Sequence, residues 1–127
     1  METRSRLLLV LADLPAPEVG LDVFDDSGGW ISRPDLSYPS VRIAIEYQGD
    51  LHREKQQWRD DLVSRRLLRD LGWELVELSA RDIYQAPQRT VNYIHRLLVE
   101  RGHPSVPAVP SNGWRPHWVG SPRVVSR

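Results

Sequence analysis

The chain has 127 residues, 17 basic and 17 acidic side chains, and no cysteine. That length fits one domain able to bury a core without covalent staples, and the lack of cysteine excludes disulfides, thiolate zinc sites and cysteine nucleophiles. The same lack suits a reducing cytoplasm, and no apolar run reaches the length of a membrane-spanning helix, so no membrane partner is expected.

The charge is unevenly spread. Residues 1–50 carry 4 Arg against 9 acids, residues 51–101 carry 10 basic against 8 acidic side chains, and residues 102–127 carry 3 Arg and no acid. An acidic half beside a mildly basic half would suit a cation site next to a phosphate-binding face, though ordinary scatter produces the same pattern. Sixteen of the 17 basic residues are Arg, which suits bidentate phosphate contacts.

Residues 3–13 place Leu7, Leu8, Val10 and Leu11 on one broad apolar face, with Leu14 just beyond, which predicts a first helix. Asp13 interrupts the apolar run and no small-residue cleavage site follows, so a signal peptide is not indicated. Pro15 and Pro17 stop the helix. Val19, Leu21 and Val23 then alternate with Gly20, Asp22 and Phe24 as a short strand. Asp26-Ser27-Gly28-Gly29 is a turn, and a second strand from about Trp30 to Leu36 completes a hairpin over residues 19–36. After the turn at Tyr38-Pro39-Ser40, Val41, Ile43, Ile45 and Tyr47 alternate with Arg42, Ala44, Glu46 and Gln48 in the clearest strand of the chain. Gly49-Asp50 ends it.

Residues 54–71 form a long helix with Trp58, Leu62, Leu68 and Leu71 as its apolar stripe and Gly72 as its terminator. Trp73, Leu75, Val76 and Leu78 make a fourth strand, and Ser79 caps a short turn through Asp82. Residues 88–101 read as a last helix. The order α-β-β-β-α-β-α predicts an α/β fold, a mixed four-stranded sheet flanked by helices, over residues 1–101. Residues 102–127 are expected to form a Pro-rich C-terminal tail that packs little, because five of the ten prolines lie between 104 and 122 without an apolar period. Trp114 and Trp118 are unusual in such a tail and are read as docking on the domain or on a protein partner.

Two carboxylates stand out. Side chains alternate along a strand, so Glu46 and Gln48 share one face while Ile43, Ile45 and Tyr47 take the other. A hairpin between Asp35 and Val41 would set Asp35 on the neighbouring strand, near Glu46. A carboxylate within a strongly apolar strand is costly unless paired or metal-bound. Two carboxylates on adjacent strands can hold Mg²⁺ or Mn²⁺, with water and substrate phosphate completing the ligands. A metal so held polarises a phosphate and acidifies a bound water.

Pro34-Asp35 followed by Glu46-Tyr47-Gln48 resembles the PD-(D/E)XK, restriction-endonuclease-like nuclease superfamily. The runs RPDLSYPSVRIAIEYQGDLHR and WRDDLVSRRLLRDLGW, followed by a strand, are similar to its compact bacterial branch related to very-short-patch DNA repair endonucleases. That branch also occurs as the C-terminal domain of some abortive-infection antitoxin-type proteins. The resemblance covers roughly residues 2–98 and implies a metal-dependent endonuclease acting on DNA. It makes Asp35 and Glu46 metal ligands and Glu2 an acidic helper on the first helix. Gln48 falls in the lysine or acidic slot, His52 becomes a histidine near the phosphate, and Asp61 with Arg65 a polar pair on the long helix.

Two departures oppose full activity. Gln48 brings no charge, although it can orient a water, and Glu77 stands where relatives often carry Arg. Lys55, the single lysine, lies at the start of the long helix. The alternatives are a weakened nuclease-fold module that binds DNA or a protein partner, as in an antitoxin-type regulator, or a truncated part of a longer protein. A dinucleotide-binding fold is disfavoured because no Gly-rich loop follows the first strand.

Overall fold

The computed structural model describes residues 2–48 and 55–118, with side chains throughout except those of residue 2 and residues 55–59. The elements in order are α1 (Glu2–Leu11), β1 (Glu18–Val19), β2 (Val23–Phe24), β3 (Trp30–Ser32), β4 (Leu36–Tyr38), β5 (Ile43–Tyr47), α2 (Lys55–Asp70), β6 (Glu74–Leu78), α3 (Ala80–Tyr84) and α4 (Pro87–Glu100). The architecture is mixed α/β. One four-stranded sheet runs β1-β4-β5-β6, and β2 with β3 forms a separate two-stranded ribbon. Pairing is antiparallel from β1 to β5 and parallel between β5 and β6, joined through α2.

Local chemistry explains most boundaries. Alternation in β5 sends Ile43 and Ile45 to one face, where they join Leu36, Tyr38, Val76 and Leu78 against α1, α3 and α4. Ala44 and Leu75 point the other way, against Leu68 of α2 and Val23 and Ile31 of the ribbon. Gly72 ends α2 at φ 86°, a left-handed conformation that suits glycine. Ser79 and Asp82 form a reciprocal capping box at the start of α3, and Pro87 takes the first turn of α4.

The expected strand from Trp30 to Leu36 divides in two. Trp30–Ser32 pairs with β2, whereas Leu36–Tyr38 pairs with β1 and β5. Pro34 has no N–H to give a ladder, and the Arg33-Pro34-Asp35 step carries the chain from one sheet into the other.

The stretch after Gly102 corrects a second expectation, since residues 104–118 are not a loosely packed tail. Trp114 and Trp118 are 1% and 5% exposed and belong to the principal core. The indole N–H of Trp118 donates to the Ile83 carbonyl at 2.6 Å. Ser111 N–H donates to the Ala12 carbonyl at 2.9 Å, and His95 Nε2 contacts the Pro107 carbonyl at 2.8 Å. The Arg4 guanidinium stacks 4.9 Å from the Trp118 ring centre. Both tryptophans therefore dock on the domain itself, while residues 119–127 lie outside the described part.

Candidate metal and phosphate site

The site lies on the α2 face of the sheet. Leu36 is paired with Ile45 in the antiparallel β4–β5 register, so Asp35, just before β4, and Glu46 of β5 stand one step further along. Asp35 is anchored there: its Oδ2 accepts the Tyr47 backbone N–H at 2.8 Å. Across the parallel pair, Glu46 is in register with Glu77.

Burial pushes the Glu46 carboxyl above its ordinary value, and the neighbouring charge of Asp35 pushes it further. Arg65 opposes the rise, while Asp61 and Glu77 add to it. Burial and three neighbouring carboxylates, opposed by Arg65, thus disfavour the ionised form of Glu46.

Gln48 and Arg65 both turn toward Glu77. Gln48 Nε2 donates to Glu77 Oε2 at 2.7 Å, and Arg65 Nη2 lies 2.8 Å from the same oxygen. The Gln48 backbone N–H donates to the Leu78 carbonyl at 2.7 Å, which extends the β5–β6 ladder through this position. Arg65 Nε is buried and has no hydrogen-bond partner. α2 thus delivers a guanidinium to Glu77 on β6. Asp61 and Arg65 sit one helical turn apart, so a single face of α2 presents both.

Glu46, Asp61 and Arg65 line one cavity of about 230 Å³ together with Trp30 and Ser32 of the ribbon. Ser64 also lines it, and its hydroxyl donates to the Ile31 carbonyl at 3.1 Å, tying α2 to the ribbon. Trp30 and Ser32 had no signal of site membership in the sequence, because the ribbon reaches the site only by folding over α2. Of the other expected site residues, Glu2 opens α1 but its side chain is not among those described, and His52 lies outside the described residues. Lys55 begins α2, again without a described side chain.

Among the described residues, no three His, Asp or Glu side chains converge on one metal position. Asp35 and Glu46 could offer two hard oxygen donors. That donor set fits Mg²⁺ or Mn²⁺, which keeps several waters and takes one or two carboxylates from protein, rather than a fully caged cation.

Two uncharacterized proteins from two strains of Mycobacterium tuberculosis are similar to this chain. Each is 29% identical over 106 residues, covering 77% of this chain and 36% of the relative. The chain therefore spans little more than a third of the length of these relatives. No family model matches it, and neither does any solved structure. No helix among the described residues is long and apolar enough to cross a membrane.

Proposed function

We propose that the chain is a metal-dependent DNA endonuclease with a restriction-endonuclease-like core, akin to the compact PD-(D/E)XK branch. The observation that carries this reading is the pair of carboxylates just before β4 and on β5. Asp35 is fixed by the Tyr47 N–H, and it raises the proton affinity of a half-buried Glu46. Like charges held this way are costly on their own, and a divalent cation is the ligand that relieves them. When bound, Mg²⁺ or Mn²⁺ would polarise the phosphodiester and supply a hydroxide nucleophile at neutral pH.

The protein's own contribution is positioning and charge. Asp35 and Glu46 hold the cation, and Gln48 orients a water from its place on Glu77. Arg65 sets a fixed positive charge beside the carboxylates, which favours the developing negative charge of the transition state. A cytoplasmic setting belongs to the same reading.

A second reading has its own support. The slot where lysine would act holds a neutral amide bonded to Glu77, and Glu77 also takes the Arg65 charge. That arrangement suits a nuclease-fold module that binds DNA or a protein without cutting, as in antitoxin-type regulators.

Nicking of supercoiled plasmid in Mg²⁺, Mn²⁺ and chelator separates the two. Cleavage is expected only with metal, and Glu46→Ala should abolish it while leaving the fold intact. Gln48→Lys should keep or raise turnover, because its ammonium would face the anionic phosphate. Well-folded protein that leaves both single- and double-stranded DNA whole in both metals, and binds neither metal, would end the enzyme reading.

A further inference from the structure

The β2–β3 ribbon carries two aromatic rings where a ribbon ordinarily hides them. Phe24 and Trp30 are directly opposed in its register, yet they are 54% and 60% exposed. Directly opposed residues share one face of a two-stranded ribbon. Trp30 is nonetheless held in place. Its indole N–H donates to Asp22 Oδ1 at 2.9 Å, and Arg33 grips both oxygens of Asp22, from Nε at 2.9 Å and from Nη2 at 3.2 Å. One carboxylate therefore fixes an indole edge and a guanidinium side by side. Trp30 and Arg33 also line the cavity that contains Glu46, Asp61 and Arg65.

We propose that Trp30, with Phe24 beside it, is a stacking platform for an unpaired nucleobase of a DNA strand whose phosphate lies over the Glu46 cavity. The choice of DNA rests on the nuclease reading; the platform rests on the ribbon alone. The indole edge is already spent on Asp22, so what Trp30 offers a ligand is its flat π-face. Arg33 is held on the same Asp22 oxygen as the indole edge, and with Ser32 and Ser64 it lines the cavity beside Trp30. A flat apolar face with a polar border matches a nucleobase, which has a flat face and a hydrogen-bonding edge. A base inside a duplex is stacked on both sides and cannot present that face, so the ligand is a single-stranded or locally opened nucleotide.

The test is fluorescence anisotropy of the whole chain with labelled oligothymidine and with a blunt duplex of equal length. Each is titrated in chelator and again in Ca²⁺. Oligothymidine should bind more tightly than duplex. Trp30→Ala should weaken oligothymidine binding about tenfold, the usual size of one lost base–aromatic stack, with duplex binding unchanged. Trp30→Phe should retain most of the affinity, and Phe24→Ala should give a smaller loss in the same direction. Circular dichroism checks that each variant is folded. Trp30-dependent oligothymidine binding by a protein that cuts nothing would sustain the platform while removing the nuclease reading. Three results overturn the platform: no oligothymidine binding in either condition, no effect of Trp30→Ala, or an equal loss on duplex. Self-association that disappears in Trp30→Ala would also overturn it, by assigning the aromatic pair to a second copy of the chain.

Discussion

The Glu46 carboxyl sits on the α2 side of β5, where burial and the Asp35 charge favour its protonated form. Its value in the folded protein is therefore above the ordinary 4.5. Stability from this group is complete below that ordinary value and is lost as the pH rises through the raised one. Without metal, wild-type protein should thus lose stability between mildly acidic and neutral pH. Glu46→Gln removes the ionisation, so its urea midpoint should vary less over that window and exceed the wild-type midpoint at neutral pH. Metal works in the opposite direction, because it binds the ionised carboxylate. Added Mn²⁺ should stabilise wild type at neutral pH and leave Glu46→Gln nearly unmoved. A wild-type midpoint that stays flat, or climbs, toward neutral pH would show that Glu46 is not the strained carboxylate.

Between elements, a single side chain ties three chain segments together. Arg101 follows α4, and its Nη1 donates to the carbonyls of Val41, Arg42 and Gly72 at 3.1, 3.2 and 2.8 Å. The first two precede β5 and the third precedes β6, so the end of α4 fixes where the parallel pair begins. Register in that pair decides whether Glu46 faces Glu77. Arg101→Ala should cost about 1–3 kcal/mol, as expected when several carbonyls lose a charged donor, and urea unfolding measures it. If the clamp sets register as well as stability, the variant should lose metal affinity beyond its loss of fold, whereas a purely structural role leaves metal affinity unchanged.

What local sequence could reveal also divides at this scale. β5, α2, β6 and the start of α3 were readable because alternation, a Gly terminator and a Ser–Asp cap act within a few residues. The Asp35–Glu46 pairing followed from the same alternation plus one hairpin. The break at Pro34 was hidden, since Trp30–Leu36 has the same β-type composition whether it pairs with one sheet or two. Arg65 on Glu77 and Trp30 over the cavity were hidden for a different reason: both depend on how α2 lies across the sheet, which no short-range pattern encodes.

For the whole molecule, the question is what closes the core beneath α1, α3 and α4. Proline density suggested a tail, but proline disfavours only helix and central strand, and an irregular segment can still bury large side chains. Trp114 and Trp118 meet edge to face at 6.2 Å, and both join the cluster that contains Leu8, Ile83 and Ile94. The regular backbone between them is one short 3-10 turn, Arg115–His117, so the ordering of residues 103–118 is sustained by burial more than by repeating hydrogen bonds. Replacing a buried tryptophan by alanine costs about 3–5 kcal/mol, and a whole domain holds only about 5–15 kcal/mol. Trp118→Ala also leaves the Ile83 carbonyl without its indole donor, which places it toward the upper part of that range. Trp118→Ala should therefore lower the thermal midpoint strongly but leave one cooperative transition. Removing residues 104–127 should go further and abolish cooperative unfolding, because it opens the α1–α4 face to water at once. Differential scanning calorimetry of the three chains decides the matter. A truncated chain that melts near the wild-type temperature with undiminished enthalpy would mean that residues 2–103 close the core by themselves and that the two tryptophans only cover it.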